Sequence, residues 1–195
     1  MNNQEHFIAV LIDGDNANPK KLSETLTQIA KFGTIKMKRV YGDFSQQNLN
    51  VWKDFVNRFS IKPVQAFSYT KGKNSTDMAL AIDAMDILHE GKVNAFCIVS
   101  SDCDFTGLIH RIKEQGMFTI GVGQEKTCAS FRMACDAFVL EENNKTETPM
   151  VIIEKEKPPE IEEVFKVAFK NLPGPTLVGK MELPKKIKKR RSFKK

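Results

Sequence analysis

Residues 7–16 have the sequence FIAVLIDGDN, and residues 95–104 have the sequence AFCIVSSDCD. Each stretch begins with a short apolar run rich in β-branched residues, which is typical of a buried strand in a parallel sheet. Each run ends in two aspartates separated by one residue. The carboxyl ends of neighbouring strands in an open α/β sheet meet at one crevice, so we expect Asp13 and Asp102 to lie close together.

Strand and helix patterns alternate from Phe7 to about Leu140, which predicts a three-layer α/β/α sandwich with a mostly parallel sheet. The predicted strands are Phe7–Asp13, Ile35–Tyr41, Ile61–Phe67, Val93–Ser100, Met117–Val122 and Ala137–Leu140. The predicted helices run from about Asn16 to Phe32, Leu49 to Phe59, Asp77 to His89, Asp104 to Gln115 and Thr127 to Ala134. A strand order of 3-2-1-4-5 would place Asp13 beside Asp102 at the switch point. Pro63 in the third strand is typical of a sheet edge.

Composition divides the chain into three parts. Residues 1–142 form the predicted α/β domain, residues 143–160 a linker, and residues 161–195 a helix followed by a basic tail. Residues 1–150 contain 17 basic and 18 acidic side chains, whereas residues 151–195 contain 13 and 6, so the net charge of +6 belongs to the tail. Such tails often contact nucleic-acid phosphates, although a solvated, disordered end is the alternative. The last part could also begin a second RNA-binding module.

Other features narrow the class of protein. No apolar run approaches the roughly 20 residues of a membrane helix, and the polar N-terminus does not resemble a signal peptide. We therefore expect a cytoplasmic protein without a membrane partner, and we leave its oligomeric state open, a homodimer included. The four cysteines match no zinc spacing and the three histidines are widely scattered, so we expect no Cys or His metal cluster.

Two further aspartates begin predicted helices on the same side of the sheet. Asp77 lies in the first turn of the third helix and Asp104 in the first turn of the fourth, so both could join Asp13 and Asp102 around one cavity. Clustered carboxylates repel one another unless a cation lies between them. Oxygen-only ligands suit Mg²⁺ or Mn²⁺, which points to metal-assisted chemistry on a phosphate-containing substrate. Helix capping is the alternative for Asp77 and Asp104.

Three other aspartates have simpler explanations. We predict that Asp15 caps the helix that begins between Asn16 and Pro19, and that Asp43 is a capping or turn residue. For Asp83, in the middle of the third helix, a role in supporting the site and a solvated position are equally compatible with the sequence.

A basic loop precedes the third helix. Its Lys71 and Lys73 could hold backbone phosphates beside the scissile one. Tyr69 and Phe105 could stack on bases, but a core position explains Phe105 more simply. Ser101, between the fourth strand and Asp102, completes the candidate substrate-binding residues of this region.

Three motifs resemble those of the NYN domain family, and more closely those of its LabA-like bacterial branch. They are Ile12-Asp13-Gly14-Asp15-Asn16, Lys71-Gly72-Lys73-Asn74-Ser75-Thr76-Asp77 and Val99-Ser100-Ser101-Asp102-Cys103-Asp104-Phe105. The closing stretch from Gly121 to Phe138 is also similar, and the resemblance covers roughly residues 7–142. The family is similar to PIN domains and flap-nuclease folds.

The resemblance implies a metal-dependent ribonuclease that hydrolyses RNA phosphodiester bonds with Mg²⁺ or Mn²⁺. Its acidic pocket, catalytic and metal-binding, falls on Asp13, Asp77, Asp102 and Asp104, and Asn16 matches the polar residue that closes the first motif. Some NYN domains bind RNA without cutting it, so enzyme activity stays open against a non-catalytic RNA-binding scaffold.

A haloacid-dehalogenase-like phosphatase is the other alternative. That class also places an Asp-x-Asp motif after its first strand and uses the first aspartate as the nucleophile. Here Asn16 and the Pro19-Lys20 pair depart from the residues that the phosphatase motif expects.

Overall fold

A six-stranded parallel sheet forms the centre of the computed structural model, which describes residues 5–67 and 74–141. The strands are β1 (His6–Asp13), β2 (Gly33–Gly42), β3 (Lys62–Gln65), β4 (Ala95–Val99), β5 (Phe118–Gly123) and β6 (Ala137–Leu140). They lie in the order β3-β2-β1-β4-β5-β6, and every neighbouring pair is parallel. The predicted order of the first five strands is confirmed, and β6 extends the sheet beyond β5.

Helices connect the strands. They are α1 (Leu22–Ile29), α2 (Trp52–Phe59), α3 (Ser75–Glu90), α4 (Thr106–Glu114) and α5 (Ala129–Ala134). A 3-10 segment leads directly into three of them, at Pro19–Lys21, Gln47–Val51 and Cys103–Phe105. The predicted helices at these places therefore begin as tighter 3-10 turns, which are common at helix N-termini.

The sheet separates two apolar layers. Alternate residues of β1 face opposite sides, so that Ile8, Val10 and Ile12 pack in one layer while Ala9 and Leu11 pack in the other. The first layer receives buried side chains of α1 and α2, and the second receives those of α3, α4 and α5. This arrangement is the predicted three-layer α/β/α sandwich.

The edges of the domain differ in detail from the prediction. β3 is shorter than the predicted strand, and Pro63 lies within it at the sheet edge as expected. Beyond β3, Phe67 is 58% exposed. No helix among the described residues is long and apolar enough to cross a membrane. The predicted linker at 143–160 and the predicted helix and tail at 161–195 lie outside the described residues.

Candidate functional site

The centre of the site is a buried carboxylate at the end of β1. Asp13 is 0% exposed. Its Oδ2 accepts hydrogen bonds from Asn16 Nδ2 (2.7 Å) and Ser100 Oγ (2.8 Å), and its Oδ1 accepts one from the backbone N of Asp15 (3.1 Å). Burial raises the pKa of Asp13, and these hydrogen bonds oppose that rise. Its orientation is therefore set by neutral donors on both sides.

The end of β4 reaches the same point because β1 and β4 are neighbours. The register pairs Ile12 with Val99, so the next residue, Ser100, lies beside Asp13. The Ser100 hydroxyl donates to Asp13 and accepts a hydrogen bond from the backbone N of Asp102 (3.0 Å). One serine thus links the two strand ends that carry the aspartates.

The turn after β4 presents the second pair of acids. Asp102 has extended backbone at the N-cap of the 3-10 segment, and its Oδ1 accepts a hydrogen bond from the backbone N of Asp104 (2.9 Å). Asn74, just before α3, donates from Nδ2 to Asp104 Oδ2 (3.3 Å). The cap role considered for Asp104 therefore belongs to Asp102, and Asp104 faces the start of α3.

α3 contributes the fourth acid. The pKa of Asp77 is raised to about 6, first by burial and then by repulsion from other carboxylates. The repelling groups are, in decreasing order of effect, Asp13, Asp102, Asp15 and Asp104. The structure therefore brings together the four aspartates that the sequence predicted, with Asp15 as a fifth.

Asp15 differs from its predicted role. Asn18 caps the segment Pro19–Lys21 through a hydrogen bond from the backbone N of Lys20 to its Oδ1 (3.1 Å). The carboxylate of Asp15 instead accepts a hydrogen bond from Thr76 Oγ1 across the site (2.8 Å). The prediction of helix capping by Asp15 was wrong, because a hydroxyl brought close only by the tertiary fold competes for the same carboxylate.

Asp43 and Asp83 have hydrogen-bond partners of their own. Asp43 is a turn residue as predicted, since its carboxylate accepts hydrogen bonds from Ser45, Gln46 and Gln65. Asp83 is half-buried and accepts hydrogen bonds from Arg39 and from the Tyr41 hydroxyl. Asp83 therefore fastens α3, the helix that carries Asp77, to β2.

The donor set suits a hard divalent cation. All four charged groups that shift the pKa of Asp77 are carboxylates, and all four repel its ionised form. Within the described residues, no three His, Cys, Asp or Glu side chains form a ready-made metal site. Because Mg²⁺ retains several water ligands, a site with one or two direct carboxylate ligands fits this arrangement.

A disulfide lies beside the aspartates, which the sequence did not predict. Cys103, between Asp102 and Asp104, is bonded to Cys128 at the N-cap of α5, with their Cα atoms 6.0 Å apart. It joins the acidic turn to α5. Cys97 and Cys135 are buried cysteines outside this disulfide, and Cys135 Sγ donates a hydrogen bond to the carbonyl oxygen of Phe131 (3.3 Å).

Several predicted binding residues have other observed positions. The Ser101 hydroxyl accepts a hydrogen bond from the backbone N of Gln124 (3.0 Å), which ties β4 to the end of β5. Phe105 is 2% exposed and belongs to the core, as the simpler explanation predicted. Lys71, Lys73, Tyr69 and the basic tail lie outside the described residues.

Comparisons with known proteins identify the same region. The profile of the NYN domain matches residues 7–142. An uncharacterized protein of Methanocaldococcus jannaschii is 31% identical over 127 residues, which cover 62% of this chain and 49% of that protein. The matched segment is thus about half the length of that relative.

A solved structure shares the fold. The crystal structure of a protein of unknown function from Vibrio parahaemolyticus matches with a TM-score of 0.59 at 14% identity. The match covers 73% of this chain and 97% of the other. At this level of identity the likeness establishes the arrangement of strands and helices and carries no information on activity.

Proposed function

We infer that this chain, which belongs to the NYN domain family, is a metal-dependent ribonuclease that hydrolyses phosphodiester bonds at its cluster of aspartates. The NYN domain is a nuclease-like domain, and nucleases of this kind generally use divalent metals. The observation that carries the proposal is that Ser100 links the strand ends of Asp13 and Asp102. Close by, burial and then repulsion from Asp13, Asp102, Asp15 and Asp104 raise the pKa of Asp77 to about 6.

The proposed metal-binding residues are Asp13, Asp77, Asp102 and Asp104. Asn16 and Ser100 donate hydrogen bonds that hold Asp13 in place while leaving its negative charge uncompensated. Asp83 holds α3, and with it Asp77, against the sheet. Bound Mg²⁺ or Mn²⁺ supplies an activated water and neutralises charge on the phosphate.

The substrate in this proposal is RNA. Lys71 and Lys73 precede α3 in the sequence and supply positive charge for phosphates that flank the cleavage site. The basic tail from Lys185 to Lys195 adds contacts that depend on charge and therefore on salt.

A non-catalytic RNA-binding scaffold is the second candidate. The absence of a ready-made metal site among the described residues favours it. The phosphatase alternative is disfavoured by the sequence, because Asn16 and the Pro19-Lys20 pair depart from the residues that the phosphatase motif expects.

The test is cleavage of labelled single-stranded and structured RNAs by the full chain in Mn²⁺, Mg²⁺ or EDTA. We expect cleavage with either metal, none in EDTA, and none by Asp102→Asn. Asp86→Asn is the matched control, because Asp86 is an exposed aspartate on α3 whose substitution makes the same change of charge. RNA binding without cleavage in any metal would establish the scaffold, and release of inorganic phosphate from monoesters with intact RNA would establish the phosphatase.

A further inference from the structure

A mostly apolar cavity of about 280 Å³ opens between the turn that follows β2, helix α2 and strand β3. Its lining residues are Phe44, Trp52, Lys53, Val56, Pro63 and Gln65. Cavities that bind drug-sized ligands have volumes of about 300–1,000 Å³, so this cavity suits a single planar ring system.

The cavity is joined directly to the turn that carries Asp13. Trp52, in its wall, donates a hydrogen bond from Nε1 to the carbonyl oxygen of Gly14 (3.1 Å), the residue that follows Asp13. The backbone N of Gly14 donates in turn to the carbonyl oxygen of Tyr41 (2.8 Å). One indole therefore connects the wall of the cavity to the turn that follows Asp13.

The walls determine which chemistry the cavity accepts. Phe44 is a half-buried ring, and the exposed Lys53 supplies positive charge at the wall. The amide of Gln65 accepts a hydrogen bond from the backbone N of Phe44 (3.1 Å) and donates one to Asp43 (2.8 Å). Since these bonds fix the amide in place, recognition depends on stacking and shape more than on hydrogen bonds to the ligand.

We propose, building on the RNA substrate inferred above, that this cavity is a base-binding subsite that holds one nucleobase of a single-stranded RNA while its backbone crosses the aspartate cluster. The ring of Phe44 and the apolar surface of Val56 and Pro63 contact the base, and Lys53 contacts an adjacent phosphate. Stacking of this kind tolerates all four bases, because each has an aromatic face.

The test uses Trp52, which is the only tryptophan of the chain and therefore a specific fluorescent reporter of the cavity. The full chain is titrated with a single-stranded oligoribonucleotide in EDTA, so that binding is measured independently of hydrolysis. We expect a change in Trp52 emission on binding. We also expect an abasic substitution at one position of the oligonucleotide to weaken binding by about 5- to 150-fold.

The matched variants add bulk inside and outside the cavity. Val56→Phe fills the cavity and is expected to weaken binding over the same range. Ile82→Phe adds the same kind of ring on α3, where Ile82 is 57% exposed, and should leave binding unchanged. The abasic series needs no protein variant, so the test holds even if Val56→Phe fails to fold.

The outcomes separate this subsite from the nuclease activity. RNA cleavage combined with unchanged Trp52 emission and no sensitive abasic position would overturn the subsite and leave the nuclease standing. Altered emission and one sensitive position without cleavage in any metal would support the subsite and refute the nuclease. Absence of RNA binding in EDTA, together with no cleavage in any metal, would overturn both.

Discussion

Replacement of Asp77 by asparagine should stabilise the metal-free protein at neutral pH. The pKa of Asp77 is about 6 in the folded chain against an ordinary value of 3.8, because burial and four neighbouring carboxylates oppose its ionisation. A raised pKa means that the folded state binds the proton more tightly, so this group lowers the stability as the pH rises from about 4 to about 6. Asparagine does not ionise and removes that loss.

The size of the effect follows from the two pKa values. Their difference corresponds to about 3 kcal/mol. Partial exposure of the Asp77 carboxylate to water screens its interactions, so we expect a gain of about 1–2 kcal/mol at pH 7. Little or no gain is expected below pH 4, where the carboxyl group is protonated in both the folded and the unfolded chain.

Urea unfolding of the wild type, Asp77→Asn and Asp86→Asn in EDTA at pH 4 and pH 7 measures this difference. Asp86→Asn controls for the loss of one negative charge on α3. Two results would contradict the described environment of Asp77. One is a free energy of unfolding at pH 7 that is no higher for Asp77→Asn than for Asp86→Asn. The other is a gain in that free energy that is the same for Asp77→Asn at pH 4 and at pH 7. Added Mn²⁺ should reverse the order by stabilising the wild type more than the variant.

Three further predictions concern the frame of the site and the tail. Gly14→Ala should lower the free energy of unfolding by about 1–3 kcal/mol in urea titrations, because the added Cβ would lie 2.5 Å from the Tyr41 carbonyl oxygen. Gly107→Ala on α4 is the control: its Cβ would meet no atom within 4 Å, so this variant should not be destabilised. Tyr41→Phe removes a hydrogen bond to Asp83 and should cost about 1–3 kcal/mol in the same assay. Truncation after Glu182 should weaken binding to all RNAs alike and reduce its salt dependence, measured by fluorescence anisotropy; unchanged affinity at low salt would contradict a role for the tail.

The sequence was sufficient to predict the contacts that depend on topology. Once the apolar runs that end in Asp13 and Asp102 are recognised as neighbouring parallel strands, their proximity follows from the direction of the strands. The position of Asp77 follows in the same way, because each helix in such a sheet begins on the side where a strand ends. The placement of these aspartates at one edge of the sheet is the part of the site prediction that rests on topology alone.

Contacts between side chains that depend on exact packing were not predictable. The hydrogen bond from Thr76 to Asp15 joins residues 61 positions apart, and the one from Trp52 to Gly14 joins residues 38 positions apart. Neither pair has a sequence spacing that indicates contact. Ser100 was assigned to the end of a strand, and only the register between β1 and β4 shows that its hydroxyl lies against Asp13.

Two half-buried aspartates outside the cluster are held by cations. Asp83 is paired with Arg39. Burial favours the neutral form of Asp136, but hydrogen bonds from Lys113 and Thr119 outweigh it and lower its pKa.

The cluster aspartates are held differently. Asp13 receives its hydrogen bonds from an amide, a hydroxyl and a backbone N–H, and no ion pair within the described ranges 5–67 and 74–141 includes Asp13, Asp77, Asp102 or Asp104. Neutral donors fix the direction of a carboxylate without cancelling its charge. Within the part of the chain that the structure describes, Asp83 and Asp136 are paired with cations and these four aspartates are not. Their negative charge is therefore one that a divalent cation would compensate.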